Sequence, residues 1–281
     1  MRKSLLFLTA FLVLSLFLSR CMLFKMRWSD SKAIRVFKSK GYELTAVDTT
    51  IDGHHLHYVM TGDTSLPTLV FIHGSPGSWM HYMKYMWDAD LRKKFRMVGI
   101  DRPGYGYSEY GQAMHLQAQC KLLLPLIQSL KTAHPMFAMG HSYGGPVVVK
   151  LAADDPGLFS MIVIAAGALD PALEKKETWR HIMDKKPLFW FLPGAFQPSN
   201  TELLFLKDDI KLLTNDFKNI TTRVLFVHGD KDTWVPIENI AYGMKMMVNA
   251  ASLKSDTVRG ATHQIPWKFR SRFKSILLGL Y

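Results

Sequence analysis

Short apolar runs recur along this chain with helix-length segments between them, and that spacing restricts the fold more than any other feature. The runs cover residues 68–72, 96–100, 136–139, 159–165, 223–227 and 255–259. Several are almost wholly apolar, as strands covered on both faces must be. Helical stretches lie between them, among them 112–131, 144–154 and 237–250. Such alternation implies an α/β class with a mainly parallel sheet flanked by helices. Two further runs, 42–50 and 56–61, flank Asp52-Gly53, a hairpin signal. They give an antiparallel start and a total of about eight strands. Residues 168–215 break the alternation after the sixth strand. Pro187, Pro193 and Pro198 punctuate them, and they are expected to form an inserted helical cap.

Chemistry concentrates just beyond the strand runs. Gly140-His141-Ser142-Tyr143-Gly144-Gly145 follows one run and opens a helix, the context of a G-x-S-x-G nucleophile elbow. Glycines flank such a serine because the turn is too sharp for side chains on either side. A serine hydroxyl needs a base, and the base needs a carboxylate to orient it. His263 follows the last run and is the candidate base. Asp232 follows the 223–227 run and is the candidate carboxylate, with Asp230 as its rival and Asp170 as a third possibility. A tetrahedral oxyanion needs two N–H donors. Tyr143, directly after the serine, and Ser75, in the His73-Gly74-Ser75-Pro76-Gly77 loop, are the candidates.

These motifs, with Asp101-Arg102-Pro103-Gly104-Tyr105-Gly106, resemble those of α/β-hydrolase fold enzymes in order and spacing, over residues 42–281. The resemblance implies a Ser142–Asp232–His263 triad, an acyl-enzyme intermediate and a carboxylic ester as the bond cleaved. It implies no cofactor and no metal. Asp101–Gly106 is read as a structural turn. The His73–Trp79 loop also resembles that of epoxide hydrolases and dehalogenases. Those enzymes attack with an aspartate where this chain has Ser142, and the cap here lacks the tyrosines that epoxide hydrolases use. Proline iminopeptidase relatives share the loop too. They require an acidic site for a free amine, for which Glu174, Glu177 and Glu202 are the candidates. Amide or C–C bond cleavage thus stands as the alternative to ester cleavage, and a non-catalytic binding protein as the more distant one.

Trp79, Trp179, Trp190, Trp234 and Trp267 are expected to line an apolar substrate pocket suited to a small ester or lipid-like molecule. His54, His55 and His57 beside the hairpin turn are read as strand residues and not as metal ligands.

The formal net charge of +12 invites a nucleic-acid reading, which its distribution removes. Residues 41–267 carry 22 basic and 22 acidic side chains, so the excess lies at the two ends. Residues 5–19 are an uncharged apolar run of about 23 Å as a helix, short of a hydrocarbon core of about 30 Å. Residues 21–24 extend it past Arg20. Residues 1–24 are therefore read as a membrane anchor or signal segment, with an uncleaved anchor preferred. Lipidation of Cys21 is disfavoured because Arg20 occupies the small-residue position. Residues 25–41 are read as a basic juxtamembrane segment. The side of the membrane stays open, and loss of residues 1–40 is expected to spare small-ester turnover.

Overall fold

The computed structural model describes residues 7, 9–11, 13, 14 and 24–281. Its centre is one eight-stranded sheet: β1 (Thr45–Ile51), β2 (His54–Thr61), β3 (Thr68–Ile72), β4 (Arg96–Ile100), β5 (Met136–His141), β6 (Met161–Ala165), β7 (Arg223–Gly229) and β8 (Ser252–Val258). The strand order is β1-β2-β4-β3-β5-β6-β7-β8. The β1–β2 and β2–β4 pairs are antiparallel and every other pair is parallel. Crossovers between parallel strands place helices on both faces, so the central strands lose contact with water on each side.

The side chains sort by strand period into two cores. On β3, Val70 and Ile72 enter one cluster while Leu69 and Phe71 enter the other. The first cluster is closed by helices α3 (Leu116–Ser129) and α4 (Gly144–Asp154). The second is closed by α1 (Asp30–Ser39), by the chain from Trp79 to Met86, by α2 (Ala89–Lys94), and by α8 (Arg270–Leu278). β8 begins three residues before the run that marks it in the sequence. It is an edge strand, exposed at Lys254, Ser255 and Thr257, so its first half carries no apolar signal. The chain after β8 does not form one continuous helix. A single turn at Ile265–Lys268 precedes α8, with Phe269 between them off helical geometry.

Between β6 and β7 lie α5 (Thr178–Met183), a 3-10 turn at Leu188–Phe191, α6 (Phe196–Leu213) and a second 3-10 turn at Thr214–Asn219. This is the insertion expected after the sixth strand. α7 (Asn239–Met246) then crosses to β8.

The expected division at residue 41 does not follow the packing. α1 is capped by Ser29 and buries Ala33 and Phe37 completely. Upstream, Arg27 lies over the Tyr107 ring at 4.3 Å and donates to the Gly106 carbonyl. The Phe24 carbonyl accepts from Ala195 N–H at 2.8 Å. Residues 24–40 are therefore part of the folded body. The anchor expected at 1–24 falls largely outside the described residues, as does Cys21. Among the described residues no helix is long and apolar enough to cross a membrane.

Candidate active site

The elbow is built as its glycines require. Ser142 has φ +55°, a left-handed conformation that costs a side-chain-bearing residue energy and occurs where surroundings enforce it. The surroundings leave no choice. A Cβ on Gly140 would stand 2.0 Å from the Gly144 carbonyl oxygen, and one on Gly144 would stand 2.4 Å from the Ile72 oxygen. Ser142 N–H is held by the Ala165 carbonyl at 2.9 Å.

Asp232 and His263 leave neighbouring strand ends. A Cβ on Gly229 would lie 2.1 Å from the Ala261 oxygen, so the two loops touch by backbone. Lys231 N–H donates to the same Ala261 carbonyl at 2.9 Å. The contact brings His263 Nδ1 to 2.8 Å from Asp232 Oδ2. Asp232 Oδ1 accepts from the backbone N–H groups of Trp234 and Val235, at 2.9 and 3.0 Å. Burial opposes ionisation of this carboxyl, but hydrogen bonds from His228, His263 and Val235 outweigh it and hold the group well below the usual carboxylate range. Asp230 is engaged elsewhere, accepting from Gly260 N–H at 2.7 Å, and Asp170 closes a turn on Ala172 N–H at 2.8 Å.

Ser142 and His263 line one cavity of about 530 Å³, together with Gly74, Ser75, Pro76, His141, Met26, Met80, Tyr85, Phe196, Trp234 and Trp267. The His73–Gly77 loop presses on the elbow, since a Cβ on Gly74 would lie 2.9 Å from Ser142 Cβ. Among the described residues, neither Ser75 N–H nor Tyr143 N–H is paired within the protein. His141 lies beneath His263, with Nε2 2.9 Å from its carbonyl oxygen. Burial and the neighbouring His263 push His141 far below the usual histidine range, so it is neutral.

A buried charge cluster supports that loop from behind. Arg102 donates to both carboxylate oxygens of Glu202 at 2.9 Å, with neither side chain exposed. It also donates to the carbonyls of His73 (2.9 Å) and Gly74 (3.0 Å), and to Gln119 Oε1 (2.6 Å). Tyr105 OH donates to Glu202, and its hydroxyl lies 3.1 Å from Ser75 Oγ. Burial, with Glu202 beside it, raises the Tyr105 phenol far above its ordinary range. The second partner of the loop is Ser199, whose Oγ accepts from Ser75 at 2.8 Å. Ser199 and Glu202 both belong to α6, so the insertion is fastened directly to the loop. Asp101, the start of the turn motif, accepts from Trp79 N–H (2.9 Å) and Tyr107 N–H (3.1 Å), and its neighbours are structural.

Of the five tryptophans expected in the pocket, Trp234 and Trp267 line the cavity and three do not. Trp79 is 1% exposed and its side chain belongs to the second core, while its backbone N–H is held by Asp101. Trp179 and Trp190 face outward on the insertion, about half exposed, with Arg180 over Trp179 at 4.4 Å. The acids proposed for an amine site are absent from the cavity wall. Glu202 is consumed by Arg102, Glu177 pairs with Arg180, and Glu174 is not among the lining residues. His54 pairs with Glu109, His55 with Asp48, and His57 with Asp101 and Asp30. Among the described residues no group of three or more His, Cys, Asp or Glu is placed to hold a metal ion. Met26, His81, Lys84 and Arg270 also line the cavity. No local motif marks them, because they arrive from distant elements through packing.

Residues 67–197 match a family model described as the alpha/beta hydrolase fold. The hydrolase YugF of Bacillus subtilis (strain 168) is 29% identical over 117 residues, 41% of this chain and 42% of that protein. Epoxide hydrolase 1 of Caenorhabditis elegans is 25% identical over 191 residues, 64% of this chain and 45% of its own. The matched region thus spans less than half the length of these two relatives. The peroxisomal α/β-hydrolase Lpx1 of Saccharomyces cerevisiae superposes with a TM-score of 0.66 at 13% identity, over 84% of this chain and 87% of that one. Sheet order, the positions of the motif loops at strand ends, and these matches agree: the chain has the α/β-hydrolase fold.

Proposed function

We propose that this hydrolase cleaves carboxylic esters with Ser142 as nucleophile, His263 as base and Asp232 as orienting carboxylate. The observation that carries the proposal is the 2.8 Å His263–Asp232 bond beside a left-handed Ser142 in one cavity. His263 Nδ1 donates to Asp232, which leaves Nε2 to take the Ser142 proton. Attack forms a tetrahedral oxyanion, for which the N–H groups of Ser75 and Tyr143 are the donors. Collapse releases the alcohol, protonated by His263, and leaves the acyl-enzyme. Water, deprotonated by His263, then frees the acid.

Ester cleavage is favoured over amine-terminated peptides because, among the described residues, no carboxylate lines the cavity. Epoxide opening is disfavoured because the elbow holds a serine, and the cavity tyrosine, Tyr85, spends its hydroxyl on the Pro266 carbonyl. The test is labelling by a fluorophosphonate probe, run beside 4-nitrophenyl esters of rising chain length and amino-acid anilides. Wild-type labelling with ester turnover, both lost in Ser142→Ala, supports the proposal. Labelling that survives in the variant removes Ser142 from the role, and turnover of anilides alone removes the ester assignment.

We also propose that the amino-terminal run tethers the enzyme to a membrane. Phe7, Phe11, Val13 and Leu14 are more than half exposed, and Phe11 meets Phe191 of the insertion at 5.6 Å. Recovery of the full chain in a wash-resistant membrane fraction is expected; recovery in the supernatant refutes the tether.

A further inference from the structure

We propose that the preferred ester carries a negatively charged group at the end remote from the scissile bond, held by Lys84 and Arg270. This rests on the ester assignment above and narrows it. The cavity wall is mostly apolar, formed by Met26, Met80, Tyr85, Phe196, Trp234 and Trp267. Among the described residues its fixed charges are Lys84 and Arg270, and no carboxylate side chain lines it. Both cations are exposed, which puts them at the mouth.

Neither is neutralised by the protein. Lysines and arginines nearby do find partners: Lys274 pairs with Asp88 and Asp90, and Arg272 with Asp256. Among the described residues, Lys84 and Arg270 have no ion pair and no hydrogen bond to another side chain. His81, beside them in the wall, adds no charge near neutral pH, because burial lowers its pKa to about 4. The two cations come from separate parts of the chain, one just after the oxyanion loop and the other at the start of α8. Two unpaired cations over an apolar cavity favour a molecule with an apolar middle and an anionic end. A carboxylate or phosphate supplies that end, from either a soluble acyl ester or a lipid headgroup.

The test compares kcat/KM for 4-nitrophenyl hydrogen adipate and 4-nitrophenyl hexanoate, one anionic and one neutral. The wild type is expected to favour the anionic ester. The double variant Lys84→Met, Arg270→Met is expected to lower the anionic-to-neutral ratio roughly tenfold or more, the scale of one charged hydrogen bond. Added salt at about 0.5 M should lower the ratio in the wild type and not in the variant. A lipid arm compares phosphatidylglycerol with phosphatidylcholine in mixed micelles; discrimination confined to that arm assigns the anion to a lipid headgroup. A ratio at or below one in the wild type in both arms, or one unchanged by the substitutions, overturns the inference. That outcome is separate from failure of the ester assignment, in which neither nitrophenyl ester is turned over. Both side chains are exposed, and a thermal melt of the variant confirms that it is folded.

Discussion

Glu202→Ala tests whether the buried ion pair holds the His73–Gly77 loop, the proposed oxyanion loop, in place. The wild-type guanidinium of Arg102 has no solvent and is satisfied by Glu202, Gln119 and the carbonyls of His73 and Gly74. Removing Glu202 leaves a buried charge with neutral acceptors and the faces of Tyr105 and Tyr143 at 4.8 and 4.4 Å. Breaking one side of such a pair costs about 3–5 kcal/mol. That is a large part of a total stability of about 5–15 kcal/mol. At about 2–4 °C per kcal/mol for a chain of this size, the melting temperature should fall by roughly 6–20 °C. Catalysis should fall as well, because the same guanidinium holds the loop that carries Ser75 N–H. A displacement near 1 Å costs on the order of 100-fold in rate. The assay is a thermal melt together with kcat on a short 4-nitrophenyl ester, measured well below the variant's transition. The companion Arg102→Met, Glu202→Met removes both charges and should be less destabilised than the summed single variants by more than about 1 kcal/mol. A melting temperature within about 3 °C of wild type for Glu202→Ala, or strictly additive single and double variants, refutes the reasoning.

Two other outcomes are expected. Phe37→Ala should destabilise by about 3–5 kcal/mol, since the ring is fully buried, and deletion of residues 1–40 should leave no stable, active enzyme; normal esterase turnover by the deleted chain would refute the placement of α1 in the body. His57 has its pKa raised: burial lowers it, but bonding to Asp101 and the charge of Asp30 prevail. Its stabilisation is therefore complete below pH 6.5 and is lost as pH rises through the raised value. The melting temperature should decline on that alkaline side, and His57→Gln should flatten the decline; an equal slope in both proteins would exclude His57.

The motif loops were legible because each is a local solution to a local problem. Gly140 and Gly144 stand where backbone meets backbone, so the elbow had to be written in glycine, and β3 and β4 were marked by unbroken apolar runs. The edge strand β8 was half silent because only one of its faces is covered. The pocket was less legible. Trp79 lies nearer the His73–Gly77 loop in sequence than Lys84, yet its side chain packs into the second core. In sequence Glu202 reads as an available acid, but in the fold Arg102, a hundred residues earlier, occupies both its carboxylate oxygens. Neither partner signals the other, because a buried pair depends on tertiary distance alone.

The amino-terminal arm alters how the charge of the chain is understood. By composition, residues 20–40 are a basic stretch with one acid, suited to lying on an anionic surface. In the fold that acid, Asp30, lies 3.3 Å from buried His57, while Arg27 stacks on Tyr107 and Met26 lines the cavity. The arm is thus a wall of the cavity as well as a link to the apolar run before it. One link from the run to the site is Phe24, whose carbonyl holds Ala195 at the head of α6, one residue before cavity-lining Phe196. The proposed tether and the cavity are therefore joined by a covalent path of three residues, from Phe24 to Met26. Displacing the apolar run is therefore expected to alter access to Ser142 as well as any attachment the run provides.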